Sequence, residues 1–192
     1  MRTTGPDQPE QLLLDVSDLL VEFGVSYALV GALAVSYYGV PRATTDADSV
    51  IWMRDIDKTA DDLRKRLVEG GYHAELRLGD LDDPILQSIR VEDGYRNRVD
   101  LLLGIRGMDP DAVHRCVSAG FFGSTVRVIG AEDLIAMKIF AGGPQDMIDV
   151  RGIFQVSRER LNPDLLVRVA RRYGPDVVHA LEELLQEFPP GQ

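Results

Sequence analysis

The chain has 192 residues, 45% of them hydrophobic and 27% charged, which supports a folded core and excludes global disorder. Its 31 acidic and 21 basic residues give a net charge of −10. This excludes a general nucleic-acid binder, because phosphate neutralisation requires clustered Lys and Arg. The single cysteine, Cys116, cannot form an intrachain disulfide.

The start of the chain and its longest uncharged run bear on cellular location. The first ten residues are polar, which predicts that no signal peptide is present. Residues 25–41 carry no charge but contain glycine, serine and proline, and fall short of the roughly 20 apolar residues that a membrane helix needs. We therefore expect a cytoplasmic protein without a membrane partner.

Apolar periodicity and Gly or Pro breaks predict the elements of the first half of the chain. They are a helix over residues 12–23, a strand over 27–30, a helix over 32–38, a strand over 46–53, a helix over 55–69, a strand over 73–78 and a turn over 80–84. This order of helices and strands is typical of an α/β fold.

The second half begins with a predicted β-hairpin, residues 85–91 and 95–103, around a tight Asp93-Gly94 turn. The remaining predicted elements are a helix over residues 108–119, a strand over 124–129, and helices over 131–140, 145–156, 163–173 and 175–188. The pattern predicts an α/β core over residues 1–130, with a mixed β-sheet flanked by helices. A helical C-terminal part, residues 131–192, then packs on that core.

Two acids, Asp46 and Asp48, stand two residues apart on a predicted strand. Such residues face the same side, so both carboxylates enter one space. In a core this would be very costly, whereas in a cleft a divalent cation can lie between them, and Mg²⁺ prefers carboxylate and phosphate oxygens. The alternative is an exposed strand edge with two solvated acids.

A third acid, Asp100, lies at the edge of an apolar predicted strand. If that strand neighbours the one with Asp48, Asp100 joins the same cluster. It can then take a proton from an attacking hydroxyl or complete a two-metal site. The alternative is an ion pair of Asp100 with Arg98 or Arg96 on the hairpin.

Other residues suit phosphate binding. Gly31 ends a buried strand and begins a helix, where free N–H groups favour anions, although glycine often serves steric needs alone at such joints. Lys138 lies among apolar helix residues, which favours a buried stem, although a solvated lysine is commoner. Asp146 and Asp149 share a helix face and either orient Lys138 or pair with Arg151.

Together these residues resemble the DNA polymerase β-type nucleotidyltransferase superfamily, whose pattern is an apolar strand, Gly-Gly or Gly-Ser, a helix, Asp-x-Asp and a later Asp. The chain is most similar to the bacterial branch that includes the AbiEii-type toxins of type IV toxin–antitoxin systems. The positions that match its first motif are Gly31, Ala34, Gly39, Arg42, Thr44, Asp46 and Asp48. Residues 132–138 and 141–150 are similar to later elements of that branch, and the resemblance spans residues 27–154.

The resemblance implies a nucleotidyltransferase fold and an enzyme that transfers a nucleotide from an NTP and releases pyrophosphate. It implies that Asp46 and Asp48 hold Mg²⁺ or Mn²⁺ and that Asp100 is a base or third ligand. The residues that it implies for nucleotide binding are Gly31, Ala32, Arg42, Thr44 and Lys138, supported by Asp146 and Asp149. Ala32 replaces the usual Gly or Ser, which removes a hydroxyl contact and lowers the expected NTP affinity.

Several functions follow for such a site. The net charge favours a small cationic acceptor such as an aminoglycoside, whereas the branch favours a toxin that acts on tRNA or protein and has a cognate antitoxin. Five arginines of the C-terminal helices would suit an RNA acceptor if one face gathers them: Arg158, Arg160, Arg168, Arg171 and Arg172. The alternatives are a catalytically silent module that binds a partner protein or nucleotide, and an α/β domain with surface acids.

Overall fold

A mixed β-sheet is the centre of the computed structural model, which describes residues 1–53, 57–81 and 83–189. Its strands are β1 (Ser26–Val30), β2 (Asp46–Trp52), β3 (His73–Leu78), β4 (Ile85–Glu92), β5 (Arg98–Ile105), β6 (Val117–Phe121) and β7 (Ser124–Val128). They lie in the order β3-β4-β5-β2-β1-β7-β6. Strand β2 is central, antiparallel to β1 and parallel to β5. The predicted fold class, a mixed sheet flanked by helices, is confirmed.

Helices flank this sheet, and among the described residues after its last strand the chain consists of helices and short connections. They are α1 (Pro9–Phe23), α2 (Gly31–Tyr37), α3 (Ala60–Glu69), α4 (Ala131–Ala141), α5 (Pro144–Ser157), α6 (Pro163–Tyr173) and α7 (Pro175–Glu187). Proline in the first turn begins α1, α5, α6 and α7, where its missing N–H costs nothing. The domain division at residue 130 stays a prediction. In the described part of the chain, no helix is long and apolar enough to cross a membrane.

Alternation along β2 and β5 separates the core from an open face of the sheet. In β5, Val99 and Leu101 are fully buried, and in β2 the same holds for Ala47. Helix α1 packs against both strands. Asp46, Asp48 and Asp100 alternate with these buried residues along the two strands. They are only half-buried, and their side chains lie on the opposite face of the sheet. One side of the central strands therefore belongs to the core, and the other side is free for polar groups.

The predicted helix over residues 108–119 is wrong. A short 3-10 helix, Pro110–Arg115, is followed directly by β6, which pairs with β7 as a hairpin. Phe122 and Gly123 form the turn, and both have positive φ angles, 47° and 75°. Such a turn matches the twist of antiparallel strands, so the glycine after two phenylalanines was the overlooked hairpin signal.

The prediction of a tight turn at Asp93-Gly94 is also wrong, although the predicted hairpin itself is confirmed. Glu92 pairs with Arg98, so the loop spans residues 93–97. The Asp93 carboxylate organises it by accepting hydrogen bonds from the backbone N–H groups of Tyr95 and Asn97, at 2.9 and 3.0 Å. The longer loop shifts the pairing between β4 and β5, and Asp100 lies opposite Arg90.

Two predicted boundaries fall partly on residues 54–56 and 82, which lie outside the described residues. The helix predicted from residue 55 begins at Ala60 in the described part. Thr59 precedes it and forms a capping box with Asp62, which satisfies two backbone N–H groups and fixes the helix start. Part of the predicted turn over residues 80–84 lies outside the described residues.

The buried side of β5 should dominate stability. We expect Leu101→Ala to lower the free energy of unfolding by about 2–5 kcal/mol, because Leu101 is 0% exposed and its removal leaves a cavity. Leu86→Ala is the control; Leu86 is 44% exposed, and its loss should cost under about 1 kcal/mol. Urea unfolding followed by circular dichroism measures both, and equal losses would contradict this assignment of the core.

Candidate active site

A cleft of about 470 Å³ lies on the open face of the sheet. Residues of β1, β2, β4 and β5 line it together with the first residues of α2 and residues of α4 and α5. Each of the residues predicted from the sequence as a site residue lines this cleft, apart from Asp149. Asp149 lies just behind it, 1% exposed, in contact with lining residues.

The pairing of β2 with β5 brings the three acids together. Asp48 lies directly opposite Asp100 in this parallel pair, and Asp46 lies opposite Arg98. Paired residues on adjacent strands face the same side, as do residues two apart on one strand. Asp46, Asp48 and Asp100 therefore line one face, and we call them the acid cluster.

Two arginines neutralise part of the acid cluster. Arg98 forms an ion pair with Asp46 and also lies 3.3 Å, Nε to Oδ2, from Asp100. Arg90 approaches Asp100 from β4, with 3.2 Å between its Nε and Oδ1. The ion pair of Asp100 with Arg98 that the sequence left open is thus present, and it coexists with the position of Asp100 in the cleft.

Asp48 is the member of the acid cluster that no described arginine contacts. Within the described ranges, no Lys or Arg nitrogen lies within 4 Å of its carboxylate. Burial, followed by the negative charge of Asp100, raises the pKa of Asp48 from 3.8 to about 6, and the more distant charges of Lys138 and Arg42 oppose this rise. Asp48 is therefore half protonated near pH 6, and a bound cation would favour its charged form.

Gly31 allows the chain to pass close to Asp48. Its φ angle is +63°, and a Cβ atom at this position would overlap the Asp48 carboxylate. Ala32 follows and is 5% exposed. The first turn of α2 has no side-chain cap, so its N–H groups stay available to a ligand in the cleft.

Thr44 and Arg42 order the loop that leads into β2. The Thr44 hydroxyl donates to the Asp46 carboxylate, with 2.9 Å between the oxygens. The backbone N–H of Arg42 donates to the Ser36 hydroxyl at 3.2 Å. Its guanidinium forms a 2.9 Å ion pair with Asp149 of α5. Arg42 thus links this loop to the C-terminal helices.

Lys138 is held by two carboxylates. Its side chain on α4 is 8% exposed, and its Nζ lies 2.7 Å from Asp146 and 2.8 Å from Asp149. Burial would raise the pKa of Asp149, but hydrogen bonds from Lys138 and Gln145 outweigh it and lower that pKa. Arg151, the other partner considered for these acids, pairs with Glu187 instead.

The donor chemistry of the acid cluster suits Mg²⁺ or Mn²⁺, which take carboxylate oxygens from few residues and fill the rest of their shell with phosphate and water. The positions of these carboxylates, however, are not those of a formed metal site. In the part of the chain that the structure describes, no three His, Cys, Asp or Glu side chains are grouped as ligands of one ion. Asp46 and Asp100 are instead paired with arginine.

Arg90 was not identified from the sequence. The tight turn predicted at Asp93-Gly94 gives the wrong register for the hairpin and does not pair Arg90 with Asp100. The Asp93 side chain, which can accept bonds from backbone N–H groups two residues on, was the signal for a longer loop.

Two of the five C-terminal arginines are used within the fold. Arg158 donates to the carbonyl of Phe188 at 3.0 Å, and Arg172 donates to the carbonyl of Gly107 at 3.3 Å.

Cys116 is half-buried, and burial raises the pKa of its thiol to about 11, so the thiol is protonated at neutral pH.

No protein-family model and no curated protein matches the sequence. Several solved structures, however, are similar to this protein in fold. An antigenic nucleotidyltransferase-like protein from Paracoccidioides brasiliensis has a TM-score of 0.58 at 18% identity, over 96% of this chain and 90% of that one. The antibiotic-resistance factor ANT(2″)-Ia has a TM-score of 0.60 at 14% identity, over 93% and 97%. A lincosamide antibiotic adenylyltransferase with bound lincomycin has a TM-score of 0.50 at 13% identity, over 80% of this chain and 99% of that one. The chain has the nucleotidyltransferase fold.

Gly31→Ala should be more harmful than the same replacement at a glycine whose new Cβ atom meets open space. We expect a loss of about 2–4 kcal/mol in unfolding free energy, from a left-handed backbone and from overlap with Asp48. Gly123→Ala is the matched control: its φ is +75° with no atom within 4 Å of the new Cβ, so it reports the backbone cost alone. Thermal and urea unfolding measure both variants, and similar losses would show that Gly31 is not required by Asp48.

Removal of the Asp48 charge should stabilise the metal-free protein at high pH. Because the folded pKa is raised, the stability due to neutral Asp48 is complete below pH 3.8 and is lost as pH rises through about 6. In EDTA, Asp48→Asn should therefore be more stable than the wild type by roughly 1–2 kcal/mol at pH 8, and equal to it at pH 4. Urea unfolding at both pH values tests this, with exposed Glu182→Gln as control.

Proposed function

We propose that this protein is a metal-dependent nucleotidyltransferase that transfers an NMP group from an NTP to a hydroxyl acceptor. The observation that supports this most is the register of β2 and β5, which brings Asp46, Asp48 and Asp100 to one face of a cleft beside the uncapped start of α2. The nucleotidyltransferase fold of the chain agrees with it.

In the proposed reaction, the acceptor oxygen attacks the α-phosphorus of the NTP. The bond from this phosphorus to the oxygen that bridges to the β-phosphorus breaks, and pyrophosphate leaves. The acceptor proton passes to a carboxylate, for which Asp100 is the candidate because it lies in the cleft on the strand beside Asp48.

Other cleft residues bind and orient the triphosphate in this proposal. Backbone N–H groups of Gly31 and Ala32 donate to phosphate oxygens, and Lys138, kept in place by Asp146 and Asp149, supplies positive charge. Arg42 and Thr44 fix the loop next to Asp46.

Asp46 and Asp48, with Asp100 as third ligand or base, would hold Mg²⁺ or Mn²⁺. When bound, the cation neutralises phosphate charge and orients the NTP. The acids bring the negative charge that attracts it, and their position on neighbouring strands keeps them on one side of the cleft.

A small molecule is the acceptor class that we propose. The cleft volume of about 470 Å³ is in the range of small-ligand sites. The lining also includes the apolar residues Pro84, Ile85, Leu102, Ile105 and Phe140. Two similar structures are of antibiotic adenylyltransferases, one with lincomycin bound and one, ANT(2″)-Ia, solved with adenylyl-2″-tobramycin. A toxin-type activity on tRNA or protein, with a cognate antitoxin, stays a prediction.

One observation favours the alternative, a catalytically silent module that binds a nucleotide or a partner protein. Arg98 pairs with two of the three acids, and the described residues include no group of ligands around one point. Ala32, which has no hydroxyl for a phosphate, points in the same direction.

Calorimetric titration of the four NTPs, with Mg²⁺ and with EDTA, separates the two functions. We expect metal-dependent binding of at least one NTP, lost in Asp46→Ala because that variant removes a carboxylate from the acid cluster. Glu182→Gln changes the net charge equally at an exposed position on α7 and should bind like the wild type.

Transfer itself is then measured with the NTP that binds, labelled at the α-phosphate, against aminoglycosides, lincosamides and bulk tRNA. Label should move to a small acceptor in the wild type and not in Asp46→Ala. No NTP binding at millimolar concentration would contradict the enzyme proposal, and binding that is insensitive to metal and to Asp46→Ala would favour the silent module.

A further inference from the structure

The geometry points to Arg98 as a tethered counter-ion of the acid cluster that competes with the metal for Asp46 and Asp100. This inference rests on the proposed function, since it concerns the metal that the same acids would bind. With Arg98 paired, these two carboxylates have a counter-ion in the absence of metal. With Arg98 displaced, Asp46 and the Oδ2 atom of Asp100 become free to bind the cation, while Oδ1 of Asp100 stays paired with Arg90.

The position of Arg98 supports this role. It lies in β5 two residues before Asp100 and directly opposite Asp46 of β2, so its side chain lies on the face of the acid cluster. Its guanidinium contacts one carboxylate on each strand. The single side chain of Arg98 therefore contacts both Asp46 and Asp100. The third member of the cluster, Asp48, has a carboxylate that no described arginine contacts.

The two acids hold Arg98 unequally: it forms a hydrogen-bonded ion pair with Asp46 and a less aligned contact with Asp100. Its Nε is buried and, among the described residues, has no hydrogen-bond partner, although it lies 3.3 Å from the Asp100 carboxylate. This contact is an attraction between charges without the alignment of a hydrogen bond. The side chain as a whole is 34% exposed, so it has a path towards solvent. Asp46 and Asp100 are 25% and 17% exposed, so solvent screens these ion pairs in part and makes them weaker than fully buried pairs.

A second partner is available to Arg98 when it leaves the acids. Glu92 lies directly opposite it across the β4–β5 pair, on the same face of the sheet and half-buried. Directly opposed side chains in antiparallel strands are within reach of each other. A rotation of the Arg98 side chain from Asp46 towards Glu92 would release the carboxylate of Asp46 and the Oδ2 atom of Asp100, whose Oδ1 atom stays paired with Arg90.

Arg90 differs from Arg98 in this respect. It contacts Asp100 alone, from the β4 side, and does not join the two strands of the acid cluster. It contacts the Oδ1 atom of Asp100 and leaves Oδ2, the atom that Arg98 contacts, to other partners. Arg98 is therefore the cation that must move before the acids can share a metal ion.

Titration of Mn²⁺ without nucleotide tests this inference, with free Mn²⁺ measured by electron paramagnetic resonance. Arg98→Met keeps the bulk of the stem and removes the competing charge, so it should bind Mn²⁺ about tenfold more tightly than the wild type. Arg98→Lys, which keeps a charge but cannot bridge two carboxylates as a guanidinium does, should lie between them. Arg77→Met is the control, since Arg77 pairs with Glu75 on β3 and changes the net charge equally.

Thermal unfolding provides a second readout. In EDTA, Arg98→Met should melt below the wild type, because the acids then repel one another without a counter-ion; saturating Mn²⁺ should raise its melting temperature more than that of the wild type. If Arg98→Met does not fold, the comparison of Arg98→Lys with the wild type decides.

Equal or weaker Mn²⁺ binding by the Arg98 variants, relative to the wild type and to Arg77→Met, would overturn the inference and leave the proposed function intact. Absence of Mn²⁺ binding in the wild type and in all variants would overturn the inference and the proposed metal dependence together. Tighter binding in Arg98→Met alone supports the competition even if no acceptor is found.

Discussion

Electrostatic repulsion among three carboxylates is the constraint on which the site depends. The parallel pairing of β2 with β5 forces Asp48 beside Asp100 and puts Asp46 two residues away. Like charges this close must be protonated, paired or bound to a cation. Arg98 and Arg90 pair with two of them, and burial and Asp100 raise the pKa of Asp48 to about 6, so that Asp48 is mainly protonated below that pH.

A second charged network ties the C-terminal helices to this site. Lys138 on α4 is nearly buried, and a buried ammonium requires carboxylate partners, which α5 supplies as Asp146 and Asp149. Asp149 also accepts Arg42 from the loop before β2. Helices α4 and α5 thereby fix the loop that leads to Asp46. Residues of both networks line the same cleft, which brings together nucleotide-binding candidates from distant parts of the chain.

The fold was largely predictable, because helices and strands with strong apolar periodicity carry their own local signal. The failures have physical causes. Residues 108–119 have helical composition, yet the turn at Phe122 and Gly123 closes β6 against β7, and pairing in the sheet overrides local propensity. In the hairpin of β4 and β5, the Asp93 side chain lengthened the loop and moved the register, which no count of apolar residues detects.

The sequence by itself determined the strands, most of the helices and the identity of the candidate acids, because spacing along a chain fixes which side chains share a strand face. Only the tertiary structure decided what those acids contact. Whether Asp100 meets Asp48 or an arginine depends on strand order and register. In the structure Asp100 lies opposite Asp48 and also contacts Arg98. The same holds for Lys138, whose partners lie on a different helix. Contacts between elements follow from packing of the whole core, and short-range sequence patterns contain little of that information.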